Sequence, residues 1–268
     1  MPNVALPDIE LHYEIDGNGP PLVLIAGMLS DSASWGPLIA PLAQQFTVIR
    51  PDNRSTGRTT PALAPTSPQQ NARDCLALLD HLEIGQAHIV GHSMGGYIAG
   101  ELAVLAPERS KSLSLLCSAP LNLRRSWHLF QTLCDIRRNG PEGLWLNALF
   151  PWLFHHRFFD NPDQIAGAVA ASLAYPYAQS LDAMQHQLDA LTRYDPIPLT
   201  RQIKTPTLAL IAKNDLIVPH DDALELLSRM PNCDIQSIKQ AAHSVHWDAP
   251  DAVLAKLIPF LKEHNNEP

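Results

Sequence analysis

The sequence predicts an α/β fold, a mostly parallel and doubly wound sheet interrupted by one helical insertion. Three observations carry this. Continuous apolar runs of strand length alternate with stretches of helical spacing. The runs end at glycine, proline or acidic residues, as strands buried on both faces do. Between residue 121 and about 200 the strand runs disappear while aromatic residues accumulate. Alternating strands and helices require crossover connections, which give a parallel sheet with helices on both faces.

Residues 9–15 alternate apolar and polar positions, as an edge strand does, and Gly17-Asn18-Gly19-Pro20 forces a turn. Residues 21–27 and 46–49 are apolar runs, the first ending at Gly27 and the second at Arg50-Pro51-Asp52. From 67 to 82, Cys75, Leu76, Leu78, Leu79 and Leu82 fall at helical spacing. A core strand at 87–90 leads into a helix at about 94–106, stopped by Pro107, and 112–117 is the next strand. After Pro120 come helical patterns only, with Trp127, Phe130, Trp145, Phe150, Trp152, Phe154, Phe158, Phe159, Tyr175, Tyr177 and Tyr194 among them. Strands resume at 207–211 and 234–238, with helices at about 221–230 and 250–262. The expected organisation is therefore a core in two parts, 1–120 and 201–268, around a helical cap at 121–200.

The chain has 268 residues, 46% of them hydrophobic and 17% charged, the composition of a globular enzyme large enough for one substantial core. A net charge of −8 without a basic run argues against a nucleic-acid partner or an anionic membrane surface. No apolar run approaches the roughly 20 residues that cross a bilayer. Met1-Pro2-Asn3-Val4 lacks the basic start and apolar run of a secretory signal. A cytoplasmic location follows as the expectation. Cys75, Cys117, Cys134 and Cys233 form no Cys-x-x-Cys pair and are expected as free thiols.

The chemistry is concentrated in Gly91-His92-Ser93-Met94-Gly95-Gly96, set between a strand and a helix. A Gly-x-Ser-x-Gly motif in that setting puts a serine on a turn sharp enough to lift its hydroxyl clear of the sheet. Side chains two positions either way would collide, and Gly91 and Gly95 remove the collision. Ser93 is thus the candidate nucleophile. Its hydroxyl needs a base, and the base needs a group to hold its tautomer. Asp215 stands just past the strand at 207–211, on the rim where sites form in open α/β sheets. Turn opening is the competing role for Asp215, but Asp221 and Asp222 are better placed to cap the following helix. His243 is the candidate base: two small residues precede it and permit a tight loop, whereas His246 is nearer the helix and placed to pack or cap. Two backbone N–H groups must hold the oxyanion, and we assign these to Met94, after the nucleophile, and Met28, after Gly27.

Taken together, Gly27-Met28 with Trp35, Asp52-Asn53-Arg54-Ser55-Thr56-Gly57-Arg58, residues 91–96, Asp215 with Pro219, and His243 with Asp248 and Pro250 resemble the α/β-hydrolase superfamily. The resemblance spans nearly the whole chain outside the insertion. It is greatest to the small bacterial members, which include carboxylesterases, enol-lactonases and the aminoacrylate hydrolases of pyrimidine breakdown. It implies the α/β-hydrolase fold, a cap inserted after the sixth strand, and a Ser-His-Asp triad without metal or organic cofactor. Many relatives carry His-Gly where this chain has Ala26-Gly27, and Arg-Gly where it has Arg54-Ser55. The first departure affects loop orientation rather than the backbone donor.

Other residues have a bland reading beside a functional one. Asp52 and Arg54 could touch substrate, but a structural ion pair holding their loop is the default. His155-His156 lacks an acid or cysteine at ligand spacing, so packing outweighs metal binding. Arg124 and Arg125 could attract a substrate carboxylate, or simply open a solvated helix. The expected function is hydrolysis of an ester or lactone of a small-to-medium, largely apolar substrate, by a monomer or homodimer. The same triad acting on C–N or C–C bonds, or a ligand-binding protein without turnover, are the alternatives.

Overall fold

The computed structural model describes residues 2–265. Its strands are β1 (Asn3–Ala5), β2 (Glu10–Asp16), β3 (Pro21–Ile25), β4 (Thr47–Pro51), β5 (Ala87–His92), β6 (Ser110–Leu116), β7 (Thr207–Ala212) and β8 (Cys233–Ile238). They form one eight-stranded sheet in the order β1-β2-β4-β3-β5-β6-β7-β8. β1 and β2 pair antiparallel, as do β2 and β4, and every other pairing is parallel. This is the mostly parallel, doubly wound sheet of the α/β-hydrolase fold.

The continuous apolar runs have a simple cause. Successive residues of one strand face opposite sides of the sheet, and both sides are covered. Val23 and Ile25 join one buried cluster with α2 (Pro68–His81), α3 (Met94–Leu105) and α9 (His220–Leu227). Leu22 and Leu24 join the other, with α1 (Gly36–Ala43) and α11 (Pro250–Glu263). A strand feeding two cores has no polar face to alternate with.

Between β6 and β7 the chain runs through α4 (Arg124–Asn139), α5 (Leu144–Leu153), α6 (Pro162–Ala174), α7 (Leu181–Thr192) and the short α8 (Leu199–Gln202). Leu133, Leu149, Met184 and Leu188 from these helices are continuous with the cluster around α3. Helix α6 contributes no buried residue, so it is held through its ends and neighbours rather than by a core face.

Among the elements that escaped the sequence reading are β1 and α1. β1 is three residues long, too short to show alternation. Helix α1 carries Pro41 in its interior as well as Pro37 at its start, which hides a helical pattern. Asp221 and Asp222 do not cap α9: Pro219 occupies the N-cap and makes no side-chain bond, and the two acids lie in the first turn. There they act on the positive end of the helix by charge alone. Cys75, Cys117 and Cys134 are buried free thiols and Cys233 is a half-buried one.

The junction between β5 and α3 leaves no room for side chains. A Cβ at Gly95 would lie 2.0 Å from Ile25 O, and one at Gly91 would lie 2.2 Å from Gly95 O. Both collisions are with backbone, which cannot step aside. Gly167, in α6, has nothing within 4 Å. Urea unfolding should therefore separate the two positions. Gly95→Ala is expected to lose about 3 kcal/mol or more through overpacking, whereas Gly167→Ala should gain up to about 1 kcal/mol from helix propensity.

Candidate active site

Ser93 follows β5 directly and is the N-cap residue of α3, with φ +54° and ψ −121°. The conformation is rare for any residue with a side chain. It is held by the sheet: His92 pairs with Leu116 across β5 and β6, and Ser93 N donates to Leu116 O at 3.0 Å. Gly27 passes so close that a Cβ there would lie 3.1 Å from Ser93 Cβ.

The structure brings Ser93, His243 and Asp215 together. His243, in the loop between β8 and α10 (Val245–Asp248), places Nε2 2.9 Å from Ser93 Oγ. Its Nδ1 lies 2.9 Å from Asp215 Oδ2 and 3.1 Å from Oδ1. With a carboxylate accepting at Nδ1, that nitrogen carries the proton and Nε2 is the acceptor for the serine hydroxyl. Asp215 Oδ1 also accepts from Ile217 N and Val218 N, each at 2.8 Å, so the turn and the imidazole are held by one side chain. His243 and Asp215 are 3% and 6% exposed, which keeps water from competing for their bond.

Met28 and Met94 line the same cavity as Ser93 and His243. Among the described residues neither backbone N–H donates elsewhere. Met94 is the first residue of α3, where helical geometry leaves N–H groups unpaired. The cavity has a volume of about 390 Å³.

A model of the alpha/beta hydrolase family matches residues 22–256. The chain belongs to that family. It is 31% identical over 98% of its length to a protein of Azorhizobium caulinodans assigned as carbamate hydrolase RutD, of which it covers 99%. It is 30% identical over 94% of its length to one of Mycobacterium tuberculosis assigned as non-heme bromoperoxidase BpoC, of which it covers 97%. Among solved structures, the enol-lactonase of Burkholderia xenovorans LB400 shares the fold with a TM-score of 0.84 at 24% identity, covering 97% of this chain and 100% of that one.

The hydrolase holds its imidazole by contacts that local sequence does not reveal. His92 Nε2–H donates to the backbone carbonyl of His243 at 2.9 Å. Asp248 Oδ2 accepts from Ala242 N at 2.8 Å and from His155 N at 3.0 Å, and Ser244 N donates to Leu153 O at 2.8 Å. Three successive residues of the loop are thus tied, Ser244 directly to the last residue of α5 and Ala242 to Asp248, which also holds His155 just after that helix. His246 does pack: its ring lies 5.2 Å from Trp35 and 4.5 Å from His92, centroid to centroid.

Other expectations resolve as follows. Asp52 and Arg54 are both ion-paired, but not to each other: Arg54 bonds Asp74 and Asp8, and Asp52 bonds Arg58. Arg54 reaches α2 and the segment before β2, whereas Asp52 reaches Arg58 further along its own loop. Arg124 and Arg125 are not in the cavity wall; Arg125 donates to Leu216 O and lies over Trp152. Of the aromatic residues, Trp127, Phe130, Trp145, Phe150, Tyr175 and Tyr177 line the cavity, whereas Phe154 and Phe158 stack on each other at 4.4 Å. His155 and His156 lie ring against ring at 4.0 Å. No helix among the described residues is long and apolar enough to cross a membrane.

Burial, with His246 and His243 beside it, holds His92 well below the ordinary histidine range. Burial and the adjacent His243 push His246 down to about 3. Both rings therefore stay neutral in the folded protein while their unfolded counterparts titrate near 6.5. Below that pH the unfolded chain binds more protons, so stability falls as pH falls. Replacing His246 by Phe removes one such group. Between about pH 6 and pH 4 the urea stability of wild type should drop relative to His246→Phe by roughly 1.4 kcal/mol per pH unit. Parallel curves would show that the ring is not held neutral.

Proposed function

We propose that this hydrolase cleaves carboxylic esters or lactones of small-to-medium, largely apolar substrates through an acyl-enzyme on Ser93. The observation that carries the reading is the continuous chain Ser93 Oγ to His243 Nε2 to Asp215, with 2.9 Å at each link, opening into a cavity walled by Trp127, Phe130, Trp145 and Phe150. Oγ attacks the substrate carbonyl as its proton passes to Nε2. The imidazolium so formed is stabilised by Asp215, and the oxyanion is received by the N–H groups of Met28 and Met94. Collapse of the tetrahedral adduct breaks the carbonyl–oxygen bond, and the leaving alkoxide takes the proton from His243. Water then attacks the acyl carbon as it gives a proton to Nε2, and collapse of this second adduct breaks the bond to Oγ, which takes that proton back from Nε2 as the acid leaves. Every step uses groups of this chain.

The cavity suits this substrate class in size and character. Its volume, about 390 Å³, lies toward the lower end of small-molecule pockets, roughly 300–1,000 Å³. The similarity to a protein assigned as a carbamate hydrolase favours a second reading, in which Ser93 attacks a carbamate carbonyl and the carbamoyl-enzyme is hydrolysed to a carbamic acid. The two readings differ in the acyl group that Ser93 carries.

A p-nitrophenyl ester chain-length series, run beside matched p-nitrophenyl carbamates, tests both. Short apolar esters should be turned over fastest, and Ser93→Ala should lower kcat by on the order of 10⁴-fold or more. A fluorophosphonate should label wild type and not Ser93→Ala. Absence of Ser93-dependent ester release, with carbamate release retained, would transfer the assignment to the second reading; absence of labelling would remove both.

A further inference from the structure

The cavity wall is divided by origin. Leu123, Trp127, Phe130, Leu149 and Phe150, from α4, its approach and α5, supply an apolar part. The loops after β3 and β4 and the segment after α6 supply a polar part, with Asp31, Thr56, Tyr175 and Gln179. The two loops and the segment are in direct contact: Tyr175 Oη donates to Asp31 Oδ2 at 2.7 Å, and Gln179 Nε2 donates to Ser55 O at 2.7 Å.

Asp31 is the unusual member. It is 6% exposed, yet no Arg or Lys among the described residues forms an ion pair with it. Arg58, whose charge acts on Asp31 without bonding it, is engaged by Asp52 and Glu14. Its hydrogen-bond donors are neutral, Ala33 N at 3.0 Å and the Tyr175 hydroxyl. Two bonds leave about half of a carboxylate's roughly four acceptor positions open. Capping the turn at Ser32–Trp35 does not require the charge, since Asn or Ser caps as well. Burial, with Asp52 close by, raises the carboxyl above its ordinary range despite the Tyr175 bond, which marks a charge short of compensation.

Gln179 gives a second, independent sign. It is 8% exposed, and its Nε2 donates to Ser55 O and to Gln187 Oε1, which fixes the amide's orientation. Its Oε1 is then a buried acceptor without a donor. The polar part of the wall has a surplus of acceptors, and buried acceptors without donors are destabilising unless a ligand supplies them.

We infer that the substrate has two arms on either side of the scissile group, one apolar and one ending in an amino or other N–H donor group, and that Asp31 selects the second arm. The inference rests on the proposed hydrolysis for its kinetic form, and the binding of an amine to Asp31 does not. Asp31 is a specificity residue: it takes no part in the acyl transfer and acts on the distal end of the substrate.

The kinetic test compares two esters of one phenylalkyl skeleton, one ending in a primary ammonium and one in methyl, at about pH 8, where alkylamines are cationic. Wild type is expected to favour the ammonium ester in kcat/KM by about 10- to 100-fold, the usual effect of a hydrogen bond to a charged group. In Asp31→Asn the ratio should fall toward one. In Tyr175→Phe, which removes the competing donor and keeps the carboxylate, the ratio should persist or rise. Equal ratios in wild type and both variants would reduce the Asp31–Tyr175 pair to a latch between segments and overturn the inference. A binding arm needs no turnover: 4-phenylbutylamine titrated calorimetrically should bind wild type at least about 10-fold more tightly than Asp31→Asn. Amine binding without ester hydrolysis would sink the ester reading and keep this one. Ester hydrolysis with no ammonium preference and no Asp31-dependent amine binding would do the reverse.

Discussion

The site depends first on a backbone conformation. Ser93 is held at φ +54° at the point where a parallel strand turns into a helix. A residue stays in that region only when its surroundings over-determine it. Here they do: β6 fixes the strand through Gly91, His92 and the Ser93 N–H, and α3 begins at the next residue. Glycines at 27, 91 and 95 allow three segments to close on the serine without a side chain between them. The hydroxyl is thereby aimed by the sheet rather than by its own rotamer preference. The unpaired N–H of Met94 then comes with the geometry, since a helix that starts after the nucleophile must begin with free donors.

His243 needs a different solution, because it stands on a loop. Loops carry functional residues but hold them less firmly than strands do. This loop is fixed by bonds to its own peptide groups: Asp248 at Ala242, His92 at His243 and Leu153 at Ser244. His92 serves with a proton on Nε2, and burial keeps its ring uncharged. Asp248 also accepts from His155, so the segment after α5 and the loop of His243 share one carboxylate. The helices between β6 and β7 are therefore joined to the base as well as to the cavity wall.

Much of this was legible in the sequence, for reasons that also mark what was not. The apolar runs of β3 and β7 are continuous because both sheet faces are covered, and a period-independent run is easy to see. Ser93 announced itself because glycines flank it at 91 and 95, the first required by contact with Gly95 and Gly96 and the second by Ile25 O at the end of β3. Asp215 and His243 were placed by their position after strands, and the structure puts both within hydrogen-bond distance along one line. What failed was whatever depends on a distant partner. His92 meets the His243 carbonyl across 151 residues and Tyr175 meets Asp31 across 144, and no local spacing encodes either. An ion pair holding the loop of Asp52 and Arg54 was legible, but its distant partners were not: Arg54 meets Asp74 on α2 and Asp8 before β2.

The division of labour in the fold explains why the chemistry is clearer than the substrate. The proposed acyl transfer draws only on Ser93, His243, Asp215 and two backbone donors, all set on or beside the sheet. None of these touches the far ends of a substrate. Those ends meet α4, α5 and the segment after α6, where the same aromatic residues must also pack against the core. An aromatic in that region satisfies two demands at once, so its identity says little about which ligand it accepts. A buried carboxylate cannot be explained by packing, because burying charge opposes folding. That asymmetry makes Asp31 more informative about the substrate than the larger number of aromatic residues around it: the apolar wall tolerates many ligands, and the uncompensated acceptor tolerates few.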